Sequence, residues 1–174
     1  MLSNLKIFLN ILKFNKGPED LPSSSELLYF IIIANVLVGL ISVDPNIGYI
    51  VNIFFAIIYI IVTLLFIKIG LKIKDSGDNP QSEYIPRYLQ VSIGTLGVHV
   101  LIALAASIIT MLMSQNESSI ILVFISLSLY GWIVNGHIFK SAFDTNMTVG
   151  LGISLLHSMI TGIVIIIFLQ FLFI

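Results

Sequence analysis

Five stretches of the chain contain no charged residue, and each is long enough to form a membrane-spanning helix. A hydrocarbon core about 30 Å thick requires about 17 to 25 apolar residues at 1.5 Å per helical residue. The pattern predicts an all-α fold, a polytopic membrane helical bundle with five transmembrane helices. Their approximate positions are residues 26–43, 47–67, 88–113, 118–139 and 147–172.

In this arrangement every positive charge falls on one side of the membrane, in the N-terminal segment and in the connections between spans two and three and between spans four and five. The two connections on the opposite side carry only Asp44 and Glu117. Because cytoplasmic loops are rich in Lys and Arg, we expect a cytoplasmic N-terminus and an external C-terminus. The eight residues on the basic side are Lys6, Lys13, Lys16, Lys68, Lys72, Lys74, Arg87 and Lys140.

The composition excludes several classes of protein. With 57% hydrophobic and 10% charged residues, the chain is not a soluble globule, in which about 25% of residues are charged. The absence of Cys excludes disulfides, thiolate metal sites and Cys nucleophiles. Nucleic acid is not an expected partner. The preference for Lys over Arg and the abundance of Ile suggest an AT-rich genome, so we predict the bacterial inner membrane.

Residues 1–16 have the pattern of an amphipathic helix that lies in the membrane interface. A frayed tail is the alternative. Residues 17–174 then form the transmembrane domain. The apolar face of the predicted helix consists of Leu2, Leu5, Phe8, Leu9 and Leu12, and the opposite face of Ser3, Lys6, Asn10 and Lys13.

Two helix starts carry capping signals. Ser23 and Glu26 have the spacing of a capping box at the start of the first span. Asp144 or Asn146 can cap the last span.

Small residues spaced by four predict where helices approach closely, because close backbone contact drives helix association in lipid. The candidate helix-packing stripe of the fifth span consists of Ser154, Ser158 and Gly162. Ordinary packing within the bundle is the favoured interpretation, and a homodimer interface is the alternative. The segment from Gly94 to Gly97 inside the third span is interpreted as a thin packing site and not as a phosphate loop. Shorter stripes occur at Gly48, Asn52 and Ala56, and at Ala103 and Ser107.

All three His residues lie within predicted spans, where ionisable groups are costly and are functional candidates by default. Counted from the inner border, His99 lies about 18 Å deep, His157 about 16 Å and His137 about 5 Å. His99 and His157 can therefore meet near the middle of the membrane. The candidate intramembrane polar cluster consists of Asn35, Asn52, His99 and His157, with Thr95 or Thr161 as further partners.

A buried, hydrogen-bonded structural role is favoured for these imidazoles, with a proton- or ligand-linked role and a metal site as alternatives. His137 is too shallow to complete a three-His metal site. The spans contain no Asp or Glu to pair with an imidazole, and no nucleophile motif occurs. We therefore expect no enzyme activity, no catalytic residue, no cofactor and no metal.

Three short motifs resemble the Yip-domain family of five-span membrane proteins, and most closely its small bacterial inner-membrane members. They are Gly17-Pro18-Glu19-Asp20-Leu21-Pro22, the segment from Tyr88-Leu89-Gln90 to Gly94-Thr95, and Gly136-His137. The resemblance implies a cytosolic N-terminus, five spans and no catalytic carboxylates. Eukaryotic members are scaffolds in vesicle traffic that engage Rab GTPases through a longer N-terminal region. That region has no counterpart before the first span, so a GTPase partner is not expected.

The leading interpretation is a non-enzymatic scaffold or accessory subunit that contacts lipids and other membrane proteins, or self-associates. The rival is an oligomeric channel or transporter subunit, with the intramembrane His and Asn residues lining a pathway. A lipid-modifying enzyme is a third possibility, and only His137 with Asp144 approaches the residue pair it would need.

Overall fold

The computed structural model describes residues 2–41, 49–77, 84–112 and 117–172, and these residues are helical with short connections. The all-α prediction is confirmed. The α-helices are α1 (Leu2–Leu12), α2 (Ser25–Ile41), α3 (Tyr49–Gly77), α4 (Tyr88–Leu112), α5 (Glu117–Ala142) and α6 (Met147–Leu172). Two short 3₁₀ helices, Pro18–Asp20 and Ile85–Arg87, precede α2 and α4.

Four helices, α3 to α6, are long and apolar enough to cross a membrane, and the chain is an integral membrane protein. Helix α2 is apolar but has 17 residues. At 1.5 Å per residue it is about 26 Å long, slightly less than a hydrocarbon core of about 30 Å. Residues 42–48, which would extend it, lie outside the described residues. The fifth crossing therefore remains a prediction.

Two helices extend past the predicted ends of their spans. Helix α3 continues to Gly77 although its span was expected to end at residue 67, and α5 continues to Ala142 instead of residue 139. The predicted spans ended just before Lys68 and Lys140, where the apolar runs end. The helices continue because Lys is itself a strong helix former. Helices α4 and α6 match the predicted spans over the described residues.

The capping residues differ in part from the sequence pattern. The backbone N–H of Leu27 donates to the hydroxyl of Ser24 at 3.2 Å, so Ser24 caps α2 and the prediction of Ser23 was wrong. Three consecutive serines offer the same hydroxyl, and the register of the helix selects among them. At α6 the cap is Asn146, whose side-chain oxygen accepts from the N–H of Val149 at 2.9 Å.

Helix α4 is the centre of the bundle. It packs against α2, α3 and α5, while α6 closes the other side by packing against α5 and α3. Residues 91–98 of α4 are all buried. The two glycines in this stretch leave room for the chain that precedes α2: a Cβ at Gly94 would lie 3.3 Å from Pro18, and one at Gly97 would collide with the ring of Phe8.

The N-terminal segment thus packs on protein along part of its length. Phe8 and Ile11 of α1 are buried, whereas Leu5 and Leu9 are exposed. The predicted apolar face therefore has two environments. Phe8, which was expected to face the lipid, instead packs its ring against Gly97 of α4, whereas Leu5 and Leu9 are exposed. Helix α1 ends at Leu12, before the predicted limit of residue 16, and Phe14 has a left-handed backbone with φ 61°. An interfacial position for α1 remains a prediction.

The segments that carry the positive charges meet at one end of the bundle, here called the basic end. The Arg87 guanidinium pairs with the Asp144 carboxylate at 2.9 Å and donates to the carbonyl of Ser141 at 3.4 Å. The carboxylate of Asp75, near the end of α3, accepts from the N–H of Ile85 at 3.1 Å. These bonds tie the connections after α3 and α5 to each other.

Candidate functional site

A polar link between α2 and α4 lies in the interior of the bundle. Asn35 of α2 is buried, and its side-chain oxygen lies 2.8 Å from Nδ1 of His99. Its amide nitrogen donates to the carbonyl of Ile31 at 2.9 Å and to the carbonyl of Leu96 at 3.1 Å. Asn35 and His99, two members of the candidate cluster, are therefore in direct contact.

This geometry determines the position of the proton on His99. Both backbone carbonyls near Asn35 are acceptors only, so the atom that contacts them must be the amide nitrogen. The other amide atom is then an oxygen, which requires a donor from His99. Nδ1 therefore carries the hydrogen, and Nε2 of the neutral ring is left with its lone pair.

A second polar link joins α3 to α6. His157 is 2% exposed, and its Nε2 lies 3.0 Å from the hydroxyl of Thr63. The ring of Tyr59 connects the two imidazoles, since it stacks on His99 with centroids 4.0 Å apart and meets His157 edge-on at 6.0 Å. His99 and His157 thus both contact the ring of one tyrosine.

Other predicted members of the cluster lie elsewhere or bond differently. Asn52 is about 10 Å along α3 from Tyr59, and its backbone carbonyl faces Gly39 of α2. Thr161 donates to the backbone carbonyl of His157 at 2.9 Å and not to the ring. Thr95 is fully buried, and its hydroxyl has no hydrogen-bond partner among the described residues.

His137 fixes the N-terminal segment to α5. Its Nε2 lies 2.9 Å from the carbonyl of Lys16, which can only accept, so the imidazole is the donor. Its ring also meets the ring of Phe14 edge-on at 5.4 Å. About two turns away on α5, the hydroxyl of Tyr130 donates to the carbonyl of Leu12 at 2.6 Å. The sequence pattern paired His137 with Asp144 as the residues that a lipid-modifying enzyme would need. Asp144 instead forms an ion pair with Arg87.

The three motifs that resemble the Yip-domain family are neighbours in space. The side chain of Gln90 donates to the carbonyls of Glu19 and Leu21 at 3.1 and 2.8 Å, and Pro18 rests on Gly94. The carbonyl of Lys16, adjacent to the first motif, receives the bond from His137. The motif residues therefore dock the N-terminal segment onto α4 and α5.

An ion pair stabilises the turn that begins this docked segment. The Lys16 ammonium donates to the Asp20 carboxylate at 2.9 Å, and this bond lowers the pKa of Asp20. The N–H of Gly17 donates to the other carboxylate oxygen at 3.2 Å. A lowered pKa means that this contribution is present at neutral pH and is lost as the pH falls through the folded value; it is small because both side chains are exposed to solvent.

A cavity of about 450 Å³ opens beside the two imidazoles, between α3, α4, α5 and α6. Helices α5 and α6 pack tightly near the basic end, where a Cβ at Gly136 would lie 3.2 Å from the Cα of Leu151. Farther from that end they leave a space between them. The polar side chains that line the cavity include His99, Ser128, Trp132, Asn135, His157 and Ser158.

The predicted packing stripe of α6 is divided between two environments. Ser154 is buried and donates to the carbonyl of Trp132 at 3.0 Å, so it packs against α5. Ser158 is exposed and, with Gly162, lines the cavity. A Cβ at Gly162 would meet nothing within 4 Å. Within the described part of the chain, only the Ser154 part of the stripe makes a close contact between helices.

Four residues of the site were not anticipated: Tyr59, Thr63, Trp132 and Asn135. A signal for the first two was present, because both continue the Asn52 and Ala56 stripe at helical spacing. No comparable signal marks Asn135, whose role depends on how α5 diverges from α6. The described residues contain no group of three His, Asp or Glu side chains that could hold a metal ion.

Comparison of the chain with protein-family models, curated proteins and solved structures gives no match. The fold and the site define an α-helical integral membrane protein.

Proposed function

We propose that the protein is a non-enzymatic scaffold or accessory subunit that acts through contacts of its helices with other membrane proteins or lipids. The observation that carries this proposal is that each of the three imidazoles holds two elements together. His99 joins α4 to α2, His157 joins α6 to α3, and His137 joins α5 to the N-terminal segment. Groups used in this way support a rigid framework for external contacts.

Helix α6 offers a surface for such contacts. One face of this helix is an apolar strip that no other part of the described chain covers. We propose that this strip meets a partner protein and that the basic end faces the cytoplasm of a bacterium, at the inner membrane. The similarity of the docking motifs to the Yip-domain family agrees with a scaffold role. The strip contains Leu155, Leu156, Met159, Ile163, Ile166, Ile167 and Phe171.

Photocrosslinking in native membranes tests this proposal. A diazirine amino acid is placed at Ile163 of α6 or at Leu65 of α3, which are 52% and 53% exposed and therefore form a matched pair. We expect discrete protein adducts from position 163 and lipid adducts alone from position 65. Lipid adducts alone from both positions would contradict a partner contact through α6.

The rival function is an oligomeric channel or transporter subunit, favoured by the cavity that His99 and His157 line. Ion and proton flux through proteoliposomes separates the two functions. The scaffold proposal predicts no flux above that of empty liposomes. Flux that is abolished by His99→Phe or His157→Phe would establish the rival instead.

A further inference from the structure

One edge of His99 faces away from its partner on α2. Nδ1 is bound to Asn35, and Nε2 lies on the far side of the same ring. The side-chain hydrogen bond that His99 makes to the described chain uses Nδ1, and His99 is a lining residue of the cavity. In the neutral ring Nε2 is an acceptor, which a donor in the cavity can satisfy.

Asn135 offers a second unsatisfied group to the same cavity. Its side-chain oxygen is buried and has no hydrogen-bond partner in the described part of the chain. An amide can be turned so that either its oxygen or its NH₂ group faces a ligand. Leaving such a group unpaired in an apolar interior costs about 1 to 3 kcal/mol, so it is a site for a polar atom.

The cavity is connected to the membrane on its side. Ser128 of α5 and Ser158 of α6 line it and are both exposed at the bundle surface, so a molecule can enter between these helices from the lipid. A volume of about 450 Å³ lies within the range of about 300 to 1,000 Å³ that small-molecule sites occupy. The described residues that line it include no Asp, Glu, Lys or Arg, which matches an uncharged occupant.

We propose that this cavity binds a neutral amphiphile from the membrane whose polar end is a hydroxyl group, such as a long-chain alcohol. The hydroxyl donates to Nε2 of His99, and its oxygen accepts a second hydrogen bond from the NH₂ group of Asn135 when that group faces the cavity. Its apolar chain lies among the remaining lining residues and leaves between Ser128 and Ser158. The site is independent of the proposed function, because a scaffold and a transporter subunit could each contain it.

The single tryptophan of the chain provides the measurement, because Trp132 lines the cavity. The full-length protein in lipid nanodiscs is titrated with a dibrominated long-chain alcohol, since bromine quenches indole fluorescence on contact. We expect saturable quenching. The methyl ether of the same chain lacks the donor and should bind about tenfold more weakly, the factor that corresponds to one hydrogen bond to a buried acceptor.

Two variants and a matched control locate the binding. Gly162→Phe fills the cavity, whereas Gly152→Phe introduces the same side chain at another open position of α6 that does not line it. We expect saturable quenching to disappear only in Gly162→Phe. Asn135→Leu removes the amide, so it should weaken alcohol binding several-fold, and because an ether oxygen can accept from the same NH₂ group it should weaken ether binding as well. Equal thermal unfolding of all variants confirms that they fold.

Three results would overturn the proposal. Equal affinity for the alcohol and the ether would remove the role of the hydroxyl. Unchanged quenching in Gly162→Phe would place the ligand elsewhere. The opening could instead be covered by a second copy of the chain, and Ser158→Cys tests this alternative because the chain has no natural Cys. Complete disulfide-linked dimerisation of this variant in membranes would assign the opening to a second copy.

Discussion

At the scale of single residues, polar side chains inside the bundle determine which helices are joined. Asn35 satisfies two backbone carbonyls and one imidazole at once, and two of these three bonds, to the carbonyl of Leu96 and to His99, link α2 to α4. No water is present in the hydrocarbon core, so a polar group that loses its hydrogen-bond partner there stays unsatisfied unless the structure relaxes. The contributions of Asn35 and His99 should therefore depend on each other.

A double-mutant cycle tests this dependence. Asn35→Leu and His99→Leu should each destabilise the protein by about 1 kcal/mol, and the pair should show a coupling energy of about 0.6 to 1.7 kcal/mol, the range measured for polar contacts in membranes. The measurement is the free energy of unfolding in mixed micelles. Asn35→Leu combined with Thr63→Val is the control, and because these residues belong to separate links their effects should add within about 0.5 kcal/mol. Additivity in the Asn35 and His99 pair would contradict a shared bond.

At the scale of elements, glycines decide where two helices touch. A Cβ at Gly150 of α6 would collide with the carbonyl of Gly136 on α5 and would lie 2.9 Å from the backbone nitrogen of Lys140. Backbone atoms cannot rotate away as side chains do. Helices α5 and α6 therefore meet closely at the basic end, and the cavity lies between residues farther along both helices.

Gly150→Ala should accordingly destabilise the protein by about 1 to 3 kcal/mol, the usual cost of overpacking a filled interior. Gly152→Ala on the same helix is the control, because its Cβ would meet nothing within 4 Å. Thermal unfolding of the two variants in one detergent measures the difference. If Gly150→Ala is as stable as Gly152→Ala, the close approach of α5 and α6 is wrong.

The N-terminal segment is held by buried apolar side chains and also by polar bonds to its backbone. Gln90 supplies two of them and should control how tightly the segment docks. Gln90→Leu removes both donors, so cleavage by trypsin after Lys13 and Lys16 should become several-fold faster in proteoliposomes. Ser126→Ala, which alters only a bond within α5, should leave the cleavage rate unchanged. Equal rates in all three proteins would show that Gln90 does not hold the segment.

At the scale of the whole molecule, the distribution of charge predicts the topology. Reporter fusions after Lys16, within residues 75–83 and after Ser141 should indicate the cytoplasm, because every Lys and Arg lies on that side. Fusions at Asn46, at Asn116 and at the C-terminus should indicate the outside. This experiment also decides whether α2 crosses the membrane. A cytoplasmic C-terminus would remove one crossing and refute five spans.

The sequence by itself determined that the chain is helical and lies in a membrane. Long charge-free runs allow no other result, since a backbone in lipid must satisfy its own hydrogen bonds and a helix does so locally. For the same reason the bounds of α4 and α6 could be predicted within a residue or two. The end of α3 could not, because lysines stop the apolar run without stopping the local bonds that continue the helix to Gly77.

Tertiary structure alone decided which polar groups meet. Each residue turns a helix by about 100°, so depth along the axis follows from counting, but the direction of a side chain depends on how all helices pack. Counting along the axis predicted that His99 and His157 can meet, and both rings contact the ring of Tyr59. Counting did not indicate that Asn35 binds His99 while Asn52 lies apart, or that Thr63 is the partner of His157. The cavity beside them is lined by residues of four helices, α3 to α6, so it depends on how residues distant in the sequence pack together.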